Sequence, residues 1–262
     1  MRLSTSPDRD EARSLAVLHA ALDAGVTFLD TADAYCLDQS DVGHNERLIA
    51  RALETWPGDR SRIIVATKGG LTRPDGEWVP DGRATHLMEA CDASRRALGV
   101  GLCNVSRGQI EMARQIVPID AVQVELNVFR DREILSGVVQ YCVDHAIQLI
   151  AHRPLGGVRK QRALERDPIL TDLARRHGVT PQDIAIAWLL DLADVIVPVP
   201  GPSRVDTARQ IGRAYQVTLG DDDRARLNER IPAGARLRSR EAAPPAVRPS
   251  IAGEIVLIMF AG

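Results

Sequence analysis

Short apolar runs alternate with amphipathic segments along most of this chain. The apolar runs lack the polar alternation of a half-exposed strand, which is typical of strands buried on both faces. They predict strands at residues 26–30, 63–67, 101–105, 121–126, 147–151 and 195–200. The intervening segments carry apolar residues at helical spacing and predict helices at 10–24, 43–53, 85–98, 107–116, 132–145, 167–176, 181–192, 204–214 and 221–228.

Repeated strand–helix units with short connections indicate a parallel sheet. Their continuation over about 230 residues favours a (β/α)₈ TIM-type barrel over an open doubly wound sheet. No G-x-G-x-x-G motif follows any of the predicted strands. The sequence therefore gives no support for a Rossmann domain.

Composition narrows the classes of partner. The chain has 262 residues, 45% of them apolar, which is enough for one large core. A net charge of −2 gives no general attraction to nucleic acid or to an anionic membrane. The four cysteines are scattered without metal-ligand spacing, and no apolar run is long enough to span a bilayer. We expect a cytoplasmic protein with reduced thiols, no bound metal, no nucleic-acid partner and no membrane partner.

Ionisable side chains follow the first two predicted strands. Asp30 and Tyr35 come at the end of the first apolar run, and Lys68 follows the second. Lys68 is one of only two lysines, the other being Lys160, in a chain whose remaining basic residues are arginine. Because burial shifts the pKa of an amine more readily than that of a guanidinium, a lysine here indicates chemistry. The alternative for each residue is structural: a strand-end tyrosine, a turn-capping aspartate and a snorkelling lysine.

Seven motifs in this order resemble the aldo-keto reductase family over residues 1–232. They are residues 28–35 (FLDTADAY), 43–46 (GHNE), 66–68 (ATK), 101–106 (GLCNVS), Gln123, 154–156 (PLG) and 199–204 (VPGPSR). The resemblance implies a (β/α)₈ barrel that reduces aldehydes or ketones with NADPH. It places the catalytic tyrosine, lysine and aspartate on Tyr35, Lys68 and Asp30.

The same resemblance implies a set of cofactor-binding residues. Asn104 and Gln123 match residues that hydrogen-bond the nicotinamide carboxamide, and His152 takes the place of a ring stacked on the nicotinamide. Leu155 lies in the matching Pro-Leu-Gly motif. The remaining matches lie in a loop that grips the adenosine 2′-phosphate, namely Gly201, Ser203 and Arg204.

Two departures from the family pattern predict an incomplete barrel. Residues 1–4 match only the end of the family's first strand, and Val100 runs directly into Gly101 where the family has a whole strand and helix. That missing unit carries the family's catalytic histidine, so we expect weak turnover at best. We expect the barrel either to stay open between strands 63–67 and 101–105 or to close with seven strands.

The sequence divides into three parts. Residues 1–235 form the predicted barrel, 236–252 an Arg/Ala/Pro-rich linker, and 253–262 an apolar strand. That last segment is interpreted as the start of a truncated second domain, a C-terminal strand or a disordered apolar end.

The leading interpretation is an NADP-dependent oxidoreductase acting on a small-molecule carbonyl. Two alternatives stay open: a nicotinamide-nucleotide-binding or sensor module without turnover, and an inactive fragment of a larger reductase. The loops that set specificity in this fold carry no diagnostic chemistry, so neither the substrate nor the oligomeric state is predicted.

Overall fold

Seven parallel strands form the main sheet. The computed structural model of the protein describes residues 2–81, 97–116, 118–238 and 254–259. The strands of this sheet are β1 (Phe28–Asp30), β2 (Ile64–Gly69), β5 (Ala97–Cys103), β6 (Ala121–Glu125), β7 (Gln148–His152), β8 (Ile196–Val199) and β9 (Glu254–Met259). A separate antiparallel hairpin consists of β3 (Leu71–Thr72) and β4 (Val79–Pro80).

Helices connect the strands. The α-helices are α1 (Arg2–Thr5), α2 (Glu11–Asp23), α3 (His44–Thr55), α4 (Arg107–Ala113), α5 (Arg132–Leu135), α6 (Val138–Asp144), α7 (Gln161–Arg166), α8 (Pro168–His177), α9 (Pro181–Leu192), α10 (Val205–Gln210), α11 (Asp221–Arg230) and α12 (Pro232–Arg238). Short 3₁₀ turns lie at Gln39–Asp41, Arg60–Arg62, Pro74–Gly76, Val158–Lys160 and Ile211–Gln216.

Local sequence signals explain where these helices begin and end. Asp10 accepts a hydrogen bond from the Arg13 amide and caps α2, and Ser106 forms a capping box with Gln109 at α4. Asp167 caps α8, and Gly178 ends it at φ 66°, a left-handed conformation that glycine adopts without strain. The alternation read from the sequence is thus confirmed as an α/β fold with a parallel sheet.

The C-terminal strand lies in the middle of the sheet. The spatial order is β1-β2-β9-β5-β6-β7-β8. β9 pairs in parallel with β2 on one side, with Lys68 opposite Leu257, and with β5 on the other, with Gly101 opposite Leu257. Neither expected outcome at this position is therefore correct: the neighbours of the missing unit neither face an open gap nor pair with each other. A strand from the far end of the chain fills the space.

The other side of the barrel is open. Among the described strands, no pairing joins β1 to β8, so the sheet does not close into a ring. Residues 2–5, expected as the end of a strand, form α1 instead. Without a strand between them, β1 and β8 each keep one edge free of ladder hydrogen bonds.

Two further boundaries differ from expectation. Ala97 and Leu98 begin β5, although the pattern predicts a helix to residue 98, and β5 starts four residues before the predicted strand 101–105. The rest of that predicted helix, 85–96, lies outside the described residues. α12 continues to Arg238, three residues into the predicted linker, and 239–253 also lie outside the described residues.

The buried apolar side chains divide unevenly between two parts of the molecule. The N-terminal part (residues 2–81) contains β1 and β2, and its apolar groups form small clusters such as Leu22, Leu29, Ile49 and Ile63. The C-terminal part (residues 97–116 and 118–238) contains β5 to β8 and holds one continuous cluster between these strands and their helices. Its largest fully buried side chain is Trp188 on α9.

Candidate active site

Lys68 occupies the end of β2 and is 5% exposed. Its Nζ donates to Asp30 Oδ1 at 2.7 Å and to the Thr31 carbonyl at 2.7 Å. The β1–β2 register pairs Asp30 with Ala66, so the Lys68 side chain starts one strand over and two residues further along. Parallel pairing of two short strands therefore brings the two residues together at their carboxyl ends.

Electrostatics keep this lysine charged. Burial alone would lower the pKa of Lys68, but the Asp30 carboxylate, helped by Tyr35, outweighs it and raises the pKa above its usual value. Asp30 Oδ1 also accepts from Gln123 Nε2 at 2.8 Å, a hydrogen bond from β1 to β6. Asp30 is thus held by an ammonium and an amide at the same oxygen.

Tyr35 lies in the turn after β1, where its amide donates to the Ala32 carbonyl at 3.1 Å. The Lys68 ammonium is 4.8 Å from the centre of its ring. Burial raises the pKa of the Tyr35 phenol above 10.0, and the opposing pull of Lys68 does not reverse the shift. The Lys68 ammonium by itself would lower this pKa, but the loss of solvation outweighs the neighbouring charge.

The β3–β4 hairpin covers Tyr35. The Trp78 ring meets the Tyr35 ring edge-on, with centroids 6.2 Å apart and planes at 80°. On the other side the Arg73 guanidinium stacks 3.8 Å from the centre of the Trp78 ring. Trp78 is not among the residues predicted for the site; its available signal was an aromatic residue in a chain with 3% aromatic content.

Asn104 and His152 meet at the ends of β5 and β7. Asn104 has a φ of 54°, which turns the chain sharply after the strand, and its amide donates to the Gln123 carbonyl at 2.8 Å. His152 Nε2 lies 3.1 Å from Asn104 Oδ1. Burial lowers the pKa of His152 to about 4, so the ring is neutral at pH 7.

Cys103, next to Asn104, was not expected at the site. Its thiol is buried, and its Sγ lies 3.6 Å from Gln123 Oε1. Burial raises the pKa of this thiol to about 12, so it stays protonated and is a weak nucleophile.

One cavity of about 2150 Å³ joins these groups. Most predicted site residues line it, namely Asp30, Tyr35, Lys68, Asn104, Gln123, His152, Leu155 and Gly201. Ser203 and Arg204 do not, since the lining stops at Pro202 in this loop and resumes only at Ile211. Of the described histidines, His152 is the one that lines the cavity.

The described residues contain neither a metal-binding cluster nor a membrane-spanning helix. Within the described ranges, no cluster of three or more His, Cys, Asp or Glu side chains is placed to hold a metal ion. Over the same ranges, no helix has the length and apolar content needed to cross a membrane.

The model of the aldo/keto reductase family matches this chain twice, over residues 1–100 and 96–231. Together the two matches cover most of the chain, and they meet at the position where the sequence lacks a unit. The chain belongs to the aldo/keto reductase family. The expected resemblance is thereby confirmed, and with it the oxidoreductase class.

Individual relatives agree with this assignment. A probable aldo-keto reductase of Glycine max is 25% identical over 86% of this chain and 81% of its own length. An uncharacterized oxidoreductase of Schizosaccharomyces pombe is 27% identical over 84% of this chain and 80% of its own.

Solved aldo-keto reductases share the fold. One from a Medee basin deep-sea metagenome library superposes with a TM-score of 0.69 at 21% identity, covering 87% of this chain and 89% of that one. One from Klebsiella pneumoniae, in complex with NADP and acetate, gives 0.66 at 18% identity, covering 84% and 85%. The predicted barrel type is confirmed, although this chain's barrel is not closed.

The cavity fits the nicotinamide cofactor of this family. Asn104 Nδ2 has no hydrogen-bond partner among the described residues, which leaves an amide donor available at the cavity wall. The wall also carries several arginines, suited to a phosphate-bearing ligand: Arg107, Arg130, Arg132, Arg153 and Arg159. The donor set and the volume are both appropriate for a dinucleotide.

Proposed function

We propose that this protein reduces the carbonyl of a small aldehyde or ketone with NADPH. The observation that carries the proposal is the Lys68 ammonium, held by Asp30 at 2.7 Å and placed 4.8 Å from the Tyr35 ring inside the large cavity. A neutral phenol beside a buried cation is a proton donor whose conjugate base has a counter-charge in place.

Each of the three residues has a separate task in this proposal. The bound cofactor would supply a hydride to the carbonyl carbon. Tyr35 Oη donates its proton to the carbonyl oxygen as negative charge develops there. Lys68 stabilises the phenolate that remains, and Asp30 keeps Lys68 protonated and oriented. The Trp78 ring, which packs edge-on against Tyr35, limits the access of water to the phenol.

The remaining residues serve cofactor binding. Asn104 and Gln123 offer side-chain amides, neutral His152 offers a flat ring at the wall, and Leu155 and Gly201 complete the surface. Ser203 and Arg204, just beyond the cavity, are proposed to reach the 2′-phosphate.

We propose slow turnover for two reasons. Among the described residues, no hydrogen bond or ring contact joins a histidine to Tyr35, and burial raises the pKa of Tyr35. The second observation also supports the alternative function, a nicotinamide-nucleotide-binding module without turnover.

The experiment combines cofactor titration with a single substitution. The full chain is titrated with NADPH, and NADPH oxidation is then followed with a panel of aliphatic and aromatic aldehydes and ketones. We expect NADPH at ~100-fold over its Kd to stabilise the fold by about 2.7 kcal/mol. Tyr35→Phe should lower turnover by ~100-fold or more with little change in NADPH affinity.

Tyr141→Phe is the matched control, since Tyr141 lies on α6, does not line the cavity and should retain turnover. Unchanged turnover in Tyr35→Phe contradicts the proposed proton donor. NADPH binding without oxidation by any carbonyl supports the binding module, and neither binding nor turnover supports an inactive fragment.

A further inference from the structure

The position of β9 raises the question of what holds the two parts of the site together. Asp30, Tyr35 and Lys68 belong to the N-terminal part, whereas Asn104, Gln123 and His152 belong to the C-terminal part. β9 is the last strand in the sequence, but it lies between β2 and β5, which belong to different parts. Among the described strands, it is the one element whose ladders join the two parts.

We propose that the C-terminal strand is a docking segment. Residues 254–259 bind in a slot between the edges of β2 and β5, and their binding sets the catalytic lysine in register with the cofactor-binding strands. The occupant is the chain's own C-terminal segment.

The slot is defined by two parallel ladders. On the β2 side, the pairs run from Val65–Glu254 to Gly69–Ile258. On the β5 side, they run from Ala97–Glu254 to Cys103–Met259, with one irregularity between Ala97 and Gly99. Without β9, both β2 and β5 would present unpaired amide and carbonyl groups along an edge.

The register carries the functional consequence. Leu257 lies opposite Lys68 on one side and opposite Gly101 on the other. Lys68 is thereby fixed two strands away from the segment that leads into Asn104. If the register of β9 changed by one residue on one side only, β2 would be displaced relative to β5 along the strand direction.

Few other described contacts hold the N-terminal and C-terminal parts together. The Gln123–Asp30 hydrogen bond crosses the barrel interior, and α2 packs against α10 through a small cluster containing Val17, Ala20, Ala21 and Ala208. On the opposite side, β1 and β8 are not paired. A second small cluster joins Ala66 of β2 to Ala121 and Ile150 of the C-terminal part. The described links are therefore one side-chain hydrogen bond, two small apolar clusters and the two ladders of β9.

The sequence of the segment suits a central strand. Ile255, Val256, Leu257 and Ile258 are consecutive and apolar, the pattern of a parallel strand covered on both faces. A parallel strand from a distant part of the chain needs no tight connection to its neighbours in the sheet. This permits the segment to dock after the rest of the chain has folded.

The test places proline in the strand of the full chain. Proline donates no amide hydrogen bond and is not tolerated in a central strand, so Leu257→Pro should prevent docking. Ala246→Pro is the control, because it adds the same residue in the Arg/Ala/Pro-rich segment, directly after Pro245. Backbone amide exchange is measured by mass spectrometry on both variants and on the unmodified chain.

We expect Leu257→Pro to accelerate exchange in β2 and β5 by at least ~100-fold, while β6, β7 and β8 keep their protection. Unchanged protection of β2 and β5 relative to Ala246→Pro would overturn the proposal. Should Leu257→Pro unfold entirely, the unmodified chain decides: amides at 254–259 as slow as those of β2 support docking, and exchange within seconds overturns it.

Mass measurement in solution separates the possible occupants. A monomer with protected 254–259 supports the chain's own segment. A dimer that dissociates in Leu257→Pro would overturn that assignment in favour of the segment of a second copy.

The link to catalysis rests on the proposed function. If carbonyl reduction is found, Leu257→Pro should lower turnover by ~10-fold or more, while Ala246→Pro retains it. Accelerated exchange in a protein that shows no reductase activity in any form would leave the docking proposal intact and contradict the proposed function alone.

Discussion

The two parts of this molecule are built from the same strand–helix units but are stabilised differently. In the C-terminal part, β5 to β8 pack against α4 to α9 around one continuous apolar cluster that includes Trp188. In the N-terminal part, β1 and β2 pack against α2 and α3 through small separate clusters. The proposed proton-transfer groups all lie in the more weakly packed part. The geometry of the N-terminal part therefore depends more on polar contacts and on β9 than on an apolar core of its own.

Equal truncations in the two parts test this comparison most directly. Leu149→Ala removes a fully buried side chain from the large cluster and should lower the free energy of unfolding by about 4–5 kcal/mol. Leu22→Ala, in a small cluster beside the open side of the barrel, should cost about 2–3 kcal/mol because its surroundings collapse more easily. Denaturant unfolding of both variants measures the difference, and equal losses would contradict the comparison.

Removing the buried ammonium tests the polar contacts of the N-terminal part. Lys68→Met leaves the Asp30 carboxylate without its cation and should destabilise the protein by about 3 kcal/mol. Lys160, the chain's other lysine, is exposed, so Lys160→Met should lower the free energy of unfolding by no more than about 0.5 kcal/mol.

Adding Asp30→Asn to Lys68→Met should recover part of the stability, since the uncompensated charge is then gone. A double variant less stable than Lys68→Met alone would show that Asp30 has a stabilising role apart from the ion pair.

The smallest effect is expected at His152, on the C-terminal side of the site. Burial lowers its folded pKa from 6.5 to about 4, so between these values the unfolded chain binds a proton that the folded chain does not. The neutral His152 ring therefore makes its full contribution to the free energy of unfolding above pH 6.5, and this contribution is lost as the pH falls towards 4. Solvent screening at this half-buried ring limits the difference to about 1 kcal/mol.

His152→Gln removes this titration. Unfolding free energies measured at pH 7 and pH 4.5 should therefore differ less in the variant than in the unmodified protein. An identical pH dependence in both would contradict the lowered pKa.

Local patterns in the sequence were sufficient to predict most of the fold. The strands 63–67 and 147–151 and the helix 181–192 lie within a residue or two of their predicted bounds, because periodicity and caps are local signals. The position of β9 was not predictable in the same way. An apolar segment of this length is compatible with any vacant strand position, and only tertiary pairing decides which one it occupies.

The candidate site, like the fold, was predictable where local sequence signals sufficed and not where tertiary contacts decide. Asp30, Tyr35 and Lys68 could be placed together because each follows a predicted parallel strand; their roles stay a prediction. The direction of the Tyr35 pKa shift could not be foreseen, since it depends on how deeply the phenol is buried under the β3–β4 hairpin. That hairpin, with Trp78, is specified by turn residues in a segment whose composition is typical of a loop.

The cavity at the proposed site extends along the open side of the barrel, between β1 and β8. The cavity that holds Tyr35 and Lys68 continues to Val26, Gln148 and Asp194, at the N-terminal ends of β1, β7 and β8, whereas His152 lies at the C-terminal end of β7. In a closed barrel, interior side chains plug this route and the site has one mouth. Here the cavity lining runs from one end of the strands to the other, so a ligand seated over Asn104 and His152 would occupy only one end of the cavity.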